Sequence, residues 1–278
     1  ATCAVARAAR PIIAEAVGRA RGRLALVGIG PGDPAWRTPE TSEALMAASD
    51  IVGYGRYLDL LGPAIAGKNR HAGVLGDEEG RARLALDLAA AGRDVALVSS
   101  GDIGIYGLAA LVFELLDRAS KPEWAAVDVR VCPGISALQA AAARAGAPLG
   151  HDFCAISLSD LLTPAAVIRA RLEAAAAGDF VVALYNPRSP RRTALLREAA
   201  AILSRHRPPD TPVVLARNLG RAGEEMRTVA LCELARGTID AEVDMLTVAL
   251  IGSRRTRRLA ADLRRVYTPR GYFNRDPA

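Results

Sequence analysis

The sequence predicts an α/β protein of two α/β domains, the first with a mainly parallel sheet and the second with a mixed sheet. Three observations carry this. Short apolar runs alternate with longer helical patterns through the first half, as strand–helix–strand units require. The rhythm breaks at the Gly/Pro-rich stretch "AGAPLGHDF", Ala145–Phe153. Beyond it, only a short polar loop, Arg217–Glu225, separates two strand-like runs, which suits antiparallel pairing. The chain has 278 residues, enough for two domains. The break divides it into residues 23–146 and 147–278, with residues 1–22 as an N-terminal extension.

In the first domain, strands are expected at Leu24–Val27, Asp50–Val52, Val95–Ser99 and Val127–Val131. Pro39 suits a first helical turn and opens a helix over Glu40–Ala48. A second helix, Glu78–Ala91, carries Leu84 and Leu88 on one face, and a third, Tyr106–Leu116, is apolar nearly all round and expected to be buried. In the second domain, strands are expected at Cys154–Leu158, Phe180–Leu184, Pro212–Ala216, Met226–Ala230 and Leu246–Ile251. Helices are expected at Ala165–Ala177 and Thr193–Ser204. The extension is rich in Ala and Arg with one acid, Glu15, a bias shared by transit peptides and exposed helices.

Apolar residues make up 51% of the chain but aromatics only 4%, so Ala, Leu and Val must fill the core. The net charge of +6 favours an anionic partner, whether nucleic acid, anionic lipid or a polycarboxylate. Cys3, Cys132, Cys154 and Cys232 form no CxxC pair, and no histidine stands at metal-ligand spacing from them. No metal site is expected, and unpaired thiols suit a reducing cytoplasm. No apolar run reaches the ~18 residues of a membrane span. The run "RRTRR", Arg254–Arg258, reads as a solvated helix face.

The first strand runs into "LALVGIGPGDP", Leu24–Pro34. A dinucleotide fingerprint needs a third glycine where Asp33 stands, and a phosphate loop needs a G-K-[ST] that is absent. Pro31 also lacks the N–H that a phosphate nest uses. A ligand-free tight turn is the plain alternative. Two further small-residue loops, "SSGDIGIYG" (Ser99–Gly107) and "CPGISAL" (Cys132–Leu138), each follow a strand. If those strands are neighbours, the loops line one crevice. Its exposed backbone and Asp102 suit a neutral or cationic ligand better than a phosphate.

"VGIGPGDP…T", "SSGDIGIYG" and "PGISALQAAAARAGAPL", in this order and spacing, resemble the tetrapyrrole methylase family over roughly residues 23–275. "IVGYGRYLDLL", "ISLSDLLTP", "DFVVALYNPRSPRR" and "VYTPRGY" are most similar to the branch that methylates C17 of precorrin-3B in cobalamin biosynthesis. The cobalt-bearing counterpart of the anaerobic route shares these motifs. The resemblance implies a class III methyltransferase fold with S-adenosylmethionine in a cleft between the domains and S-adenosylhomocysteine as product. By motif, it implies cofactor contacts at Pro31, Ser100, Gly101, Asp102, Ile105, Ser136 and Ala137. From the second domain it adds Tyr185, Asn186, Leu246 and Thr247. Ser100 stands where the family commonly has Gly, and Ile103 where it commonly has Pro.

The implied ring contraction, which yields precorrin-4, calls for a general base, and Asp160 is the candidate; a turn-capping role for it is the alternative. Arg188, Arg191 and Arg192, with Arg37 and Arg56, are candidates to clamp substrate carboxylates. Tyr54, with Tyr57 beside it, is a candidate substrate wall or else core. The family implies a homodimer. An RNA-modifying relative of the same fold stays open as another class, although the Arg run lacks interleaved aromatics for base stacking. A nucleotide-dependent dehydrogenase is opposed by the broken fingerprint.

Overall fold

A computed structural model describes residues 22–118, 121–190 and 192–272. They form two compact units, one of residues 22–30 and 34–135, the other of residues 31–33 and 136 onward. The expected extension falls almost wholly outside the described residues.

The first unit is a five-stranded sheet of β1 (Arg23–Gly28), β2 (Asp50–Tyr54), β3 (Asn69–Gly73), β4 (Asp94–Ser99) and β5 (Asp128–Cys132). The order is β3-β2-β4-β1-β5, and every pairing is parallel. Alternate residues of each strand serve opposite faces. Leu24, Leu26, Val52, Val95 and Leu97 pack with α3 (Glu78–Ala90) and α4 (Ala109–Asp117). Val27, Ile51, Ala96 and Val98 pack with α1 (Pro39–Ala47) and α2 (Gly55–Leu61). Each buried Leu or Val contributes about 1.5–3 kcal/mol. The Thr38 hydroxyl accepts from the Thr41 amide and caps α1, with Pro39 in its first turn.

Three expectations change here. The buried stripe of α3 is Ala82, Ala85, Leu86 and Ala89, while Leu84 is 39% exposed, because the smaller side chains let the helix lie closer to the sheet. The apolar helix starts at Ala109, not Tyr106, since Tyr106 has a left-handed φ of 54°. Phe113 on it is 48% exposed, so it is not buried all round. The edge strand β3 and helix α2 add to the expected elements; β3 reads "NRHAG" and has no apolar alternation to announce it.

At the foot of this sheet Asp50 is 1% exposed and accepts from Ser49 Oγ (2.7 Å), Arg93 Nε (2.6 Å) and His71 Nε2 (2.8 Å). Burial pushes its carboxyl upward, but the bonds from His71, Ser49 and Arg93 outweigh this and hold it below the usual range. A depressed carboxyl stabilises the fold above its unfolded pKa, and that stability is lost as pH falls below about 4. Asp50→Ala is expected to cost about 1–3 kcal/mol in urea unfolding at neutral pH and to flatten the acid limb of stability.

The second unit has β7 (Phe153–Ser157), β8 (Val181–Tyr185), β9 (Pro212–Arg217), β10 (Glu225–Ala230) and β11 (Thr247–Ile251), in the order β10-β9-β11-β8-β7. Only β7 and β8 are parallel, so the sheet is mixed as expected. Helices α6 (Ala165–Ala177), α7 (Ala194–Ser204) and α8 (Leu231–Arg236) share one core with it. The helix α5 (Ala137–Ala145) packs against β9 and β11, so contacts assign it to this unit, which resumes at Ser136, ahead of the Gly/Pro break. Its start is fixed by a capping box of Ser136 and Gln139. A small sheet, β12 (Arg257–Leu259), β13 (Asp262–Tyr267) and β6 (Gly146–Ala147), lies at its far end. "RRTRR" is therefore a turn entering a strand, not a helix face, and three of its four arginines are exposed.

Candidate functional site

In the first unit β1 lies between β4 and β5, so the three small-residue loops leave adjacent strands at the same edge. The chain leaving β1 enters α1 on one face, and the chain leaving β4 enters α4 on the other. Such a switch point opens a crevice at the C-terminal ends of parallel strands.

The loops are sewn together through backbone. Gly30 and Gly101 exchange two hydrogen bonds, 3.1 Å from the Gly30 amide and 2.7 Å from the Gly101 amide. A Cβ at Gly134 would stand 2.1 Å from the Gly101 carbonyl oxygen and 2.6 Å from that of Gly28, so only glycine fits where the loops cross. Asp102 binds the floor together. Its Oδ1 accepts from the Gly104 amide (2.7 Å) and its Oδ2 from the Gly134 amide (2.9 Å). Thr41 Oγ1 donates to the Gly28 carbonyl (3.1 Å), and Thr38 Oγ1 to that of Pro133 (3.2 Å).

This floor is ill suited to a phosphate. The amides of Gly101, Gly104 and Gly134 already have acceptors, and a carboxylate sits among them. A neutral or cationic ligand that tolerates close backbone approach suits it better. Ser100, Gly101 and Asp102 lie together at the bridge, and Ile105, 37% exposed, stands on the same loop. Tyr54 ends β2 and meets Tyr57 edge to face at 5.2 Å. Arg56 is exposed on α2. Arg37 is partly buried before α1, and burial lowers the pKa of its guanidinium.

In the second unit, the remaining candidates gather where β7, β8 and β9 end and β11 begins. The Tyr185 hydroxyl accepts from the Leu138 amide at 3.1 Å, beside Ser136 and Ala137 in the first turn of α5. Asn186, at a left-handed φ of 51°, donates from Nδ2 to Ser157 Oγ at 3.0 Å. Thr247 is buried and donates to Asp244 Oδ1 at 3.1 Å; Leu246 is half-exposed. Asp244 also accepts from Arg217 Nε at 2.9 Å. Burial raises its pKa, but the bonds from Arg217, the Leu246 amide and Thr247 lower it below the usual range.

Two of the expected carboxylate clamps turn inward. Arg192, 9% exposed, donates to the Asn186 carbonyl at 2.8 Å and lies 3.6 Å from Asp160. Arg188 donates to the Asp240 carbonyl at 2.8 Å. Both brace the loop after β8. Arg191 lies outside the described residues. Arg192→Ala is expected to destabilise the second unit by about 1–3 kcal/mol in urea unfolding, because it removes the partner of the part-buried Asn186 carbonyl.

The sequence reading missed the part of Thr38, Thr41 and Arg221. Arg221 Nε donates to the Pro31 carbonyl at 2.6 Å. The threonines carried a signal, since a capping Thr before "PETS" is legible; Arg221, 190 residues from its partner, carried none.

The sequence profile of the tetrapyrrole (corrin/porphyrin) methylases matches residues 23–235. The chain belongs to this family. The precorrin-3B C(17)-methyltransferase of Sinorhizobium sp is 45% identical over 259 residues, covering 90% of this chain and 97% of that protein. A probable cobalt-factor III C(17)-methyltransferase of Salmonella typhimurium is 43% identical over 250 residues, covering 90% of this chain and 99% of that protein. The cobalamin biosynthesis protein CobIJ of Mycobacterium tuberculosis is 46% identical over 256 residues, covering 90% of this chain but 48% of that protein. The chain thus spans about half the length of that relative. Among solved structures, the methyltransferase CobJ superposes with a TM-score of 0.81 at 42% identity, over 89% of this chain and all of that one. A uroporphyrin-III C-methyl transferase of Thermus thermophilus, complexed with S-adenyl homocysteine, gives 0.62 at 25% identity, over 83% of this chain and 97% of that one.

Proposed function

We propose that this methylase transfers a methyl group from S-adenosylmethionine to C17 of precorrin-3B, with contraction of the macrocycle to precorrin-4, in cobalamin biosynthesis. The observation that carries the reading is the phosphate-averse three-loop floor of the first unit, in a chain 45% identical to a precorrin-3B C(17)-methyltransferase along nearly its whole length. Cobalt-factor III is the second reading, favoured by the 43% identity to a methyltransferase named for it.

S-adenosylmethionine supplies a methyl already activated on a sulfonium. The chain's task is then to hold and orient, so that the accepting carbon reaches in-line approach at about 3–3.5 Å. In this reading Ser100, Gly101, Asp102 and Ile105 contact the cofactor from the first unit. Pro31, Ser136, Ala137, Tyr185, Asn186, Leu246 and Thr247 contact it from the second. Backbone groups do most of the holding, because the Asp102 carboxylate is spent on loop amides. Asp160, half-exposed beside Arg192, is the candidate base for the ring hydroxyl whose deprotonation starts contraction. Asp160→Asn that still contracts the ring at the full rate rules it out.

The substrate's many carboxylates give the charge of +6 a use. With Arg188 and Arg192 turned inward, Arg56 and Arg37 become the leading clamps. Arg56→Ala is expected to raise KM for the tetrapyrrole severalfold and leave thermal stability and cofactor affinity unchanged. A homodimer in the cytoplasm belongs to the same proposal, on the strength of the sequence resemblance and the unpaired thiols.

The reading is tested by incubating the protein and S-adenosylmethionine with precorrin-3B, and in parallel with cobalt-factor III. Mass and absorption spectra of the products are expected to show one added methyl and a contracted ring from one of the two. No methylation of either macrocycle refutes the proposal.

A further inference from the structure

The segment Pro31–Asp33 is gripped from one side by a loop that carries no recognisable motif. That loop, Asn218–Glu224, follows β9. Its Arg221 donates from Nε to the Pro31 carbonyl at 2.6 Å. The aliphatic stem of the same residue lies flat over Gly32: a Cβ there would stand 2.6 Å from Arg221 Cγ and 2.8 Å from the Gly220 carbonyl oxygen. Gly32 also has a φ of 156°, which side chains rarely adopt. A Cβ on Gly220 would in turn lie 3.0 Å from the Asp33 amide nitrogen. The two segments are therefore complementary on both sides.

The gripping loop is itself held in shape. Asn218 (φ 51°) and Gly220 (φ 68°) are both left-handed. The Asn218 amide donates to the Leu246 carbonyl at 3.2 Å, and the Arg221 amide to the Asn218 carbonyl at 3.0 Å. Glu224 accepts from the Gly220 amide at 2.7 Å and from Arg144 Nε at 3.0 Å, which ties the loop to the end of α5. These contacts fix the loop that presents the Arg221 guanidinium to the Pro31 carbonyl.

We propose that Arg221 is a positioning residue for S-adenosylmethionine: it sets the path of Pro31–Asp33, the wall of the cofactor site after β1, without touching the cofactor through its own charge. The inference rests on the proposed use of S-adenosylmethionine. A charge-assisted hydrogen bond and the packed stem together hold a segment that contains two glycines and two prolines within residues 30–34. Released, that segment would sample other paths, and the cofactor would have to order it on binding.

The test is calorimetric titration of the full chain with S-adenosylhomocysteine, with steady-state kinetics beside it. Arg221→Ala is expected to weaken S-adenosylhomocysteine binding about tenfold or more. KM for S-adenosylmethionine should rise with it, and KM for the tetrapyrrole should hold. Arg221→Lys, which can still donate to the Pro31 carbonyl, should recover part of the loss. Gly32→Ala attacks the same contact from the opposite side and should weaken binding alike, which covers the case of an Arg221→Ala chain that fails to fold. Wild-type affinity in both Arg221→Ala and Gly32→Ala overturns the inference, as does an Arg221→Ala loss confined to the tetrapyrrole. Absence of S-adenosylhomocysteine binding to the wild type refutes the proposed function instead.

Discussion

Gly134→Ala is expected to abolish S-adenosylhomocysteine binding and to cost the first unit about 3 kcal/mol or more. The added methyl would lie 2.1 Å from the Gly101 carbonyl oxygen and 2.6 Å from the Gly28 carbonyl oxygen. Both obstacles are backbone, so no rotamer change relieves them, and the cost exceeds the ordinary penalty of overpacking a core. The Gly30–Gly101 bridge must open or Gly134 must move, and either shift breaks the floor that all three loops share. Gly55→Ala is the matched control. Its Cβ would meet nothing nearer than 3.8 Å, so stability and binding should stay close to wild type. Urea unfolding and calorimetry on the two variants check the contrast; equal behaviour of the pair contradicts it.

Asp102→Ala is expected to weaken S-adenosylhomocysteine about tenfold or more while the fold survives. Its carboxylate accepts from the Gly104 and Gly134 amides, at 2.7 and 2.9 Å, and hydrogen bonds to a charged acceptor contribute about 1.5–3 kcal/mol each. Loss of both frees two loops at the place where ligand order matters most. Asp102→Asn keeps one carbonyl acceptor and should fall between. This assigns Asp102 to shaping the floor rather than to proton transfer. A variant that keeps wild-type affinity removes Asp102 from the site.

The sequence showed most of the sheet strands because each is a short apolar run bounded by Gly, Asp or Pro. It did not show β3, whose edge position leaves it polar, nor the hairpin of β12 and β13, whose arginines hide a strand under a charge pattern. Leu84 faces solvent and Leu88 only borders the buried stripe of α3, because alanines, neutral in a periodicity argument, are what the close helix–sheet approach selects. At the site, glycine loops after strands were legible as a shared crevice, since they need only local chemistry and neighbouring strands. What those side chains touch was not. Asp102 looked free to meet a ligand and proves to be tied to two amides. Arg192 looked like a carboxylate clamp and proves to brace Asn186 and Asp160. Both outcomes depend on contacts 30 or so residues away in the chain, or on the turn of a single φ at Asn186.

A crystal structure of the full chain with S-adenosylhomocysteine is the decisive measurement. It is expected to show the ligand against Ser100, Gly101, Asp102 and Ile105, hydrogen-bonded mainly to backbone. Ligand density away from these loops, or a saturating soak that leaves them empty, contradicts the account.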